Sequence, residues 1–148
     1  MDNQNTFIIE RIYNAPIKLL WQVITQREHL KQWYFDFAED WKLEIGAQFE
    51  WSAEDTKCHK WVHKGEMIEI IPDKKLVHSW AYPGFSGNSI LCWELEEIDA
   101  LHTKIKLTHF FETPFDSTIE ELRMENFVAG WNEILTKMLS DYLTKIVQ

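Results

Sequence analysis

The chain has 148 residues, 45% hydrophobic and 26% charged, enough for one domain over 1–148, with no linker, to bury a core without metals or disulfides. Its 15 Lys and Arg against 24 Asp and Glu leave a net charge of −9, which argues against nucleic acid and anionic membrane as partners, because both need clustered cations. No apolar run approaches the roughly 20 residues that span a bilayer; two Cys are too few for a disulfide framework and Met1–Thr6 has no signal-peptide pattern, so a cytoplasmic location is expected.

Thr6 to Tyr13 carries the β-branched and aromatic character of a strand. Asn14-Ala15-Pro16 breaks it and opens a helix, with Ile17, Leu20, Trp21 and Ile24 as its apolar stripe. Glu28 to Trp33 reads as a second short helix, after which the chain turns through Asp36 to Asp40. From Ala47 the period becomes two: Ala47, Phe49, Trp51 and Ala53 share one face, and Gln48, Glu50 and Ser52 the other. Strands are expected at Trp61–Ile71, Lys75–Tyr82, Ser89–Ile98 and Thr103–Phe111, separated by Pro72-Asp73, by Pro83-Gly84 to Asn88 and by Asp99-Ala100, the spacing of an antiparallel meander. In the last of them Thr103, Ile105, Leu107 and His109 alternate with polar residues, so His109 points inward. Ser117 and Glu120 have the spacing of a capping box, which would start a final helix running about 28 residues to Lys145, roughly 40 Å at 1.5 Å per residue. Its inner stripe is expected to be Phe127, Trp131, Ile134, Leu135, Met138 and Tyr142, with Gly130 allowing close approach to the sheet.

The order strand, two short helices, antiparallel strands and one long helix resembles the α+β helix-grip fold of the START-like (SRPBCC) superfamily, in which a curved antiparallel sheet wraps around a long C-terminal helix. Ala15-Pro16 with Leu20-Trp21 and Leu30-x-x-Trp33, then Gly65-Glu66-x-Ile68-Glu69-Ile70-x-Pro72-x-x-x-Leu76-Val77-x-x-Trp80, Thr103-x-Ile105-x-Leu107-Thr108-His109 and Gly130-Trp131 are similar to the family named after the activator of Hsp90 ATPase. That resemblance implies a cavity between sheet and helix that often takes an apolar or amphipathic small molecule. It also implies two alternatives, an Hsp90 co-chaperone-like interaction module with a chaperone or other protein as partner, and a cyclase- or dehydratase-like enzyme using His109. The eukaryotic co-chaperone carries an additional N-terminal domain that these residues do not include, so stimulation of Hsp90 is not expected.

Aromatic residues make up 14% of the chain, with eight Trp, and Phe49, Trp51, Trp80, Trp93, Phe127 and Trp131 are candidates to line such a cavity, because flat rings give large contact area at low entropic cost. Filling the core is the plainer role for the same rings. His109 is the candidate polar group inside, able as a neutral imidazole to orient a ligand or move a proton, although a buried His satisfied by a neighbour is commoner. His78, on the face of Leu76 and Trp80, is a weaker one. Cys58, His59 and His63 have zinc-ligand chemistry, but four strand residues advance roughly 13 Å, too far for His59 and His63 to share an ion. Cys92, opposite Trp93 in facing, is expected to be an inert packing residue. Gly84-Phe85-Ser86-Gly87-Asn88 is a turn rather than a nucleophile elbow, no glycine loop cradles phosphate, and the acidic runs Glu94, Glu96, Glu97, Asp99 and Glu120, Glu121, Glu125 are read as solvated faces. The sequence therefore predicts a binding protein for a small apolar or aromatic molecule, with no catalytic residues, metal or cofactor assigned.

Overall fold

The computed structural model describes residues 5–34, 41–54 and 57–147; the turn expected at Asp36–Asp40 lies outside them. The elements are β1 Thr6–Tyr13, α1 Ile17–Thr25, α2 Arg27–Trp33, β2 Gln48–Glu54, β3 Lys60–Ile71, β4 Lys75–Trp80, β5 Asn88–Asp99 and β6 His102–Thr113, then a short 3₁₀ turn Glu120–Leu122 and a continuous helix. That helix begins as α3, Met124–Glu133, passes through a π-helical stretch at Ile134–Met138 and ends as α4, Leu139–Val147. All six strands form one antiparallel sheet in the order β1-β6-β5-β4-β3-β2, so the meander β2 to β6 is closed on one side by the N-terminal strand. This is the expected α+β helix-grip fold, a curved open sheet with one long helix on its inner face.

The two short helices are held at an angle by a break at Gln26, whose extended φ of −89° and ψ of 132° ends α1. A helix end leaves its last carbonyls without intrahelical donors. Two indoles supply them here: Trp33 Nε1 donates to the Val23 carbonyl at 2.9 Å and Trp41 Nε1 to that of Thr25 at 2.8 Å. Part of the tryptophan surplus is thus helix capping.

Three expectations about the last helix are corrected. It starts at Met124, with Arg123 as its N-cap, not at Ser117; Asp116 Oδ1 accepts the Thr118 amide and hydroxyl at 3.0 and 2.6 Å, so a turn takes the place of the capping box. Its buried stripe is Phe127, Trp131, Leu135, Leu139 and Leu143, whereas Met138 is 37% exposed and Ile134 and Tyr142 are half-buried. A strict every-fourth pattern drifts by roughly 160° over those four steps on an ideal helix of 3.6 residues per turn. The wider π-turn at Ile134–Met138 takes back part of that drift and keeps the stripe on the sheet. Finally, Gly130 is exposed and a Cβ built on it meets nothing within 4 Å, so it permits no close approach. Close approach occurs instead at Gly65 on β3, where a Cβ would lie 2.5 Å from both the Phe49 ring and the Ser79 carbonyl.

Helix and sheet are tied by polar contacts as well as by burial. Tyr13 Oη donates to the Leu135 carbonyl, inside the π-turn, at 2.7 Å, and Arg11 donates to Asn132 Oδ1 at 2.8 Å.

Candidate functional site

Alternation along the strands turns every second residue toward the helix. It delivers Phe49 and Trp51 from β2, Trp80 from β4, Trp93 from β5 and His109 from β6 to the same face, opposite Phe127 and Trp131 of α3, and all seven are buried. Their rings form one connected cluster: Trp51–Trp80 at 5.2 Å, Trp80–Trp131 at 5.4 Å, Trp93–Trp131 at 5.5 Å, Phe49–Trp51 at 5.6 Å and His109–Phe127 at 5.4 Å between centroids. These are the separations at which stacked and edge-to-face pairs attract.

The room left between them is small. A void of about 10 Å³, the size of a single water, is bounded by Tyr34, Trp41, His78 and, of the seven, by Phe49, Trp51 and Trp93. A second, open groove of about 190 Å³ is lined by Ala53, Glu54, Trp61, His63, Tyr82, Glu121 and Leu122. Trp51, which lines the void, and His63, which lines the groove, touch each other directly; Trp80 lines neither, but its ring meets Trp51, His63 and Tyr82 edge-on and lies 6.0 Å from His109.

His109 has no accessible surface. Its Nε2 lies 2.8 Å from Ser89 Oγ, and that hydroxyl donates its only proton to the Trp80 carbonyl at 2.7 Å. Ser89 Oγ can therefore only accept from the imidazole, which fixes the proton on Nε2 and leaves Nδ1 a bare lone pair. Among the described residues Nδ1 has no hydrogen-bond partner. The ring is stacked on Phe111 at 4.4 Å and flanked by Phe7 and Phe127. Burial pushes its pKa down to about 3, with the neighbouring His78 adding to the effect. Such a nitrogen is a weak base at neutral pH; it suits hydrogen-bond acceptance better than proton transfer.

Two further histidines share the core. His63, the register partner of Trp51, stacks on it at 4.8 Å with an interplanar angle of 8°, and burial lowers its pKa to about 4. His78 Nδ1 donates to the Ser79 carbonyl at 2.9 Å, and its pKa too is lowered by burial to about 4. His63 faces the core while His59 and Cys58 are exposed, and no metal-holding group of His, Cys, Asp or Glu exists among the described residues. Cys92 is half-buried with its thiol pushed up to about 11, first by burial and then by Glu94.

Sequence reasoning missed Ser89, Tyr82 and Tyr34, and weighed His63 only as a zinc ligand. Ser89 was within reach, because it lies two residues before Leu91 on the inward alternation, and Leu91 pairs with His109; a residue two away on the same face is a diagonal neighbour. Tyr82 lies just beyond β4 and is oriented by the bond that Trp80 Nε1 donates to its hydroxyl at 2.9 Å, which no periodicity reveals.

A curved antiparallel sheet gripping a C-terminal helix over an aromatic gap defines the helix-grip class, and solved structures agree. Protein CV1439 from Chromobacterium violaceum superposes with a TM-score of 0.74 at 16% identity, covering 90% of this chain and 94% of that one. NE0264 from Nitrosomonas europaea gives 0.72 at 21%, covering 98% and 97%. DynU16, a putative protein in the dynemicin biosynthetic locus, gives 0.75 at 18%, covering 95% of this chain and 48% of that one. No curated protein matches the chain. The sequence profile described as activator of Hsp90 ATPase homolog 1-like protein matches residues 14–144, and the chain belongs to that family.

Proposed function

We propose that this protein binds a small apolar or aromatic molecule between its sheet and its last helix, in contact with Phe49, Trp51, Trp80, Trp93, His109, Phe127 and Trp131. The observation that carries the reading is the unpartnered Nδ1 of His109, buried in an aromatic cage. A buried acceptor without a donor costs about 1–3 kcal/mol, and a ligand that supplies the donor recovers it. Burial of the ligand's rings adds roughly 25 cal/mol per Å² of apolar area.

A void of about 10 Å³ is far below the roughly 150 Å³ that holds a benzene ring, so binding requires the rings to part or the start of α3 to lift. The segment at 114–123 leading into α3 suits such movement: most of it is exposed, and its backbone bonds are local turns such as Ile119 N to the Asp116 carbonyl at 3.1 Å. A molecule arriving through the groove meets Trp61, His63 and Tyr82 first.

Native mass spectrometry of protein taken from cells, compared with the denatured chain, tests the reading. A small molecule that leaves on unfolding supports it and gives the ligand's mass. A bare chain that also takes up no aromatic compound from a library, yet captures a protein partner, overturns it in favour of an interaction module.

A further inference from the structure

The hydrogen-bond chain through His109 says more than that something is bound. Trp80 carbonyl, Ser89 hydroxyl and His109 Nε2 form a relay in which each proton has one allowed position, because the carbonyl can only accept. Ser89 is fully buried, and the register that pairs Trp80 with Ser89 and Leu91 with His109 holds the three groups on adjacent strands. The imidazole is thereby locked with Nδ1 as an acceptor, and the rings of Phe7, Trp80, Phe111 and Phe127 surround it. The polar and charged residues buried among the described ones are Thr25, His63, His78, Ser89, Thr103 and His109, with no Lys or Arg. A carboxylate or phosphate placed there would lose its hydration without a counter-charge and would face the lone pair of Nδ1.

We infer that this site selects neutral ligands presenting an O–H or N–H donor to His109 Nδ1, of the phenol or indole kind, over anions and over hydrocarbons of the same shape, and that Ser89 is the positioning residue behind this selection. The inference rests on the binding reading above and adds the chemical class of the ligand. Specificity of this type is strong because a ligand without the donor leaves the buried acceptor unpaired. Phe111 stacks on the imidazole and Phe127 meets it edge-on, so the acceptor is walled by rings, while the serine contributes only by excluding the other tautomer of the ring.

The test uses phenol, toluene and benzoate as probes, titrated into the whole chain and followed by NMR. Phenol should bind more tightly than toluene, and benzoate weakest; toluene binding as tightly as phenol, or more tightly, overturns the inference. Replacing His109 with Phe should lower the phenol-to-toluene affinity ratio by about tenfold or more, with toluene affinity held or improved. Ser89→Ala should move the ratio the same way, and nitrogen-15 NMR of its imidazole should show the Nδ1–H tautomer appearing. An unchanged ratio in a folded His109→Phe protein overturns the inference while leaving binding in the gap intact, and so does tightest binding of benzoate. If none of the three probes binds at millimolar concentration, the binding reading fails and this inference with it. Should both variants fail to fold, the wild-type spectrum decides: His109 protonated on Nδ1 overturns the assignment, and protonation on Nε2 with phenol favoured supports it.

Discussion

The gap between sheet and helix has two ends made of different residues. At the end nearest α1, Leu20, Leu95, Ile105, Leu139 and Leu143 are buried, and the polar groups among them are spoken for: Thr103 Oγ1 donates to the Ala15 carbonyl at 2.8 Å and Tyr13 Oη to that of Leu135 at 2.7 Å. At the other end, rings replace aliphatic chains and three imidazoles sit among them, one with a bare buried nitrogen. Both ends exclude water, yet only the second keeps polar capacity in reserve. A core built for stability alone gains nothing from that reserve, since an unmet acceptor subtracts from it. The difference is why the binding proposed above is assigned to the aromatic half and not to the aliphatic one.

The largest expected effect is a response to pH confined to the aromatic end. In the folded chain His63 and His78 titrate at about 4 and His109 at about 3, below the ordinary 6.5 of the unfolded chain. The unfolded state therefore takes up protons first as pH falls. Stability is complete above about 6.5 and is lost below it, toward 4 for the first two residues and toward 3 for the third, at of the order of 1 kcal/mol per pH unit for each histidine. Urea melts between pH 7 and 5 check this; a flat midpoint would show that the imidazoles are hydrated.

Next in size is a cavity at the aliphatic end. Ile105→Ala, at a residue with no accessible surface, should cost about 2–5 kcal/mol in the same melts while leaving the pH slope unchanged. Gly65→Ala, at the aromatic end, forces a methyl against the Phe49 ring and the Ser79 backbone, and an overpacking cost of about 1–3 kcal/mol is expected, together with a changed tryptophan emission spectrum. Smallest is Gly130→Ala, on the exposed side of α3, which should stabilise the protein by about 0.5–1 kcal/mol, read as a higher melting temperature. A loss there would show that the helix packs more closely than described.

The strands were legible because their alternation is unbroken: β1 was placed at its observed bounds, and β3, β5 and β6 within one or two residues. The same alternation placed His109 inward. The last helix was misplaced at its start because Ser117 and Glu120 satisfy a local spacing rule while the chain there makes turns through Asp116. Its stripe was misphased at Met138 because a sequence period of 3.6 cannot anticipate a π-turn. Neither error moved Phe127 or Trp131, which lie ahead of that turn.

Sequence by itself determined which strand residues face inward and in what order the strands and helices come, since those depend on local period and on turn residues that break it. Only the tertiary structure decided how tightly the rings close, that two indoles cap α1, and that Ser89 meets His109. These depend on register across strands and on which carbonyl is left over at each helix end, distances that exist only once segments far apart in the chain have packed together.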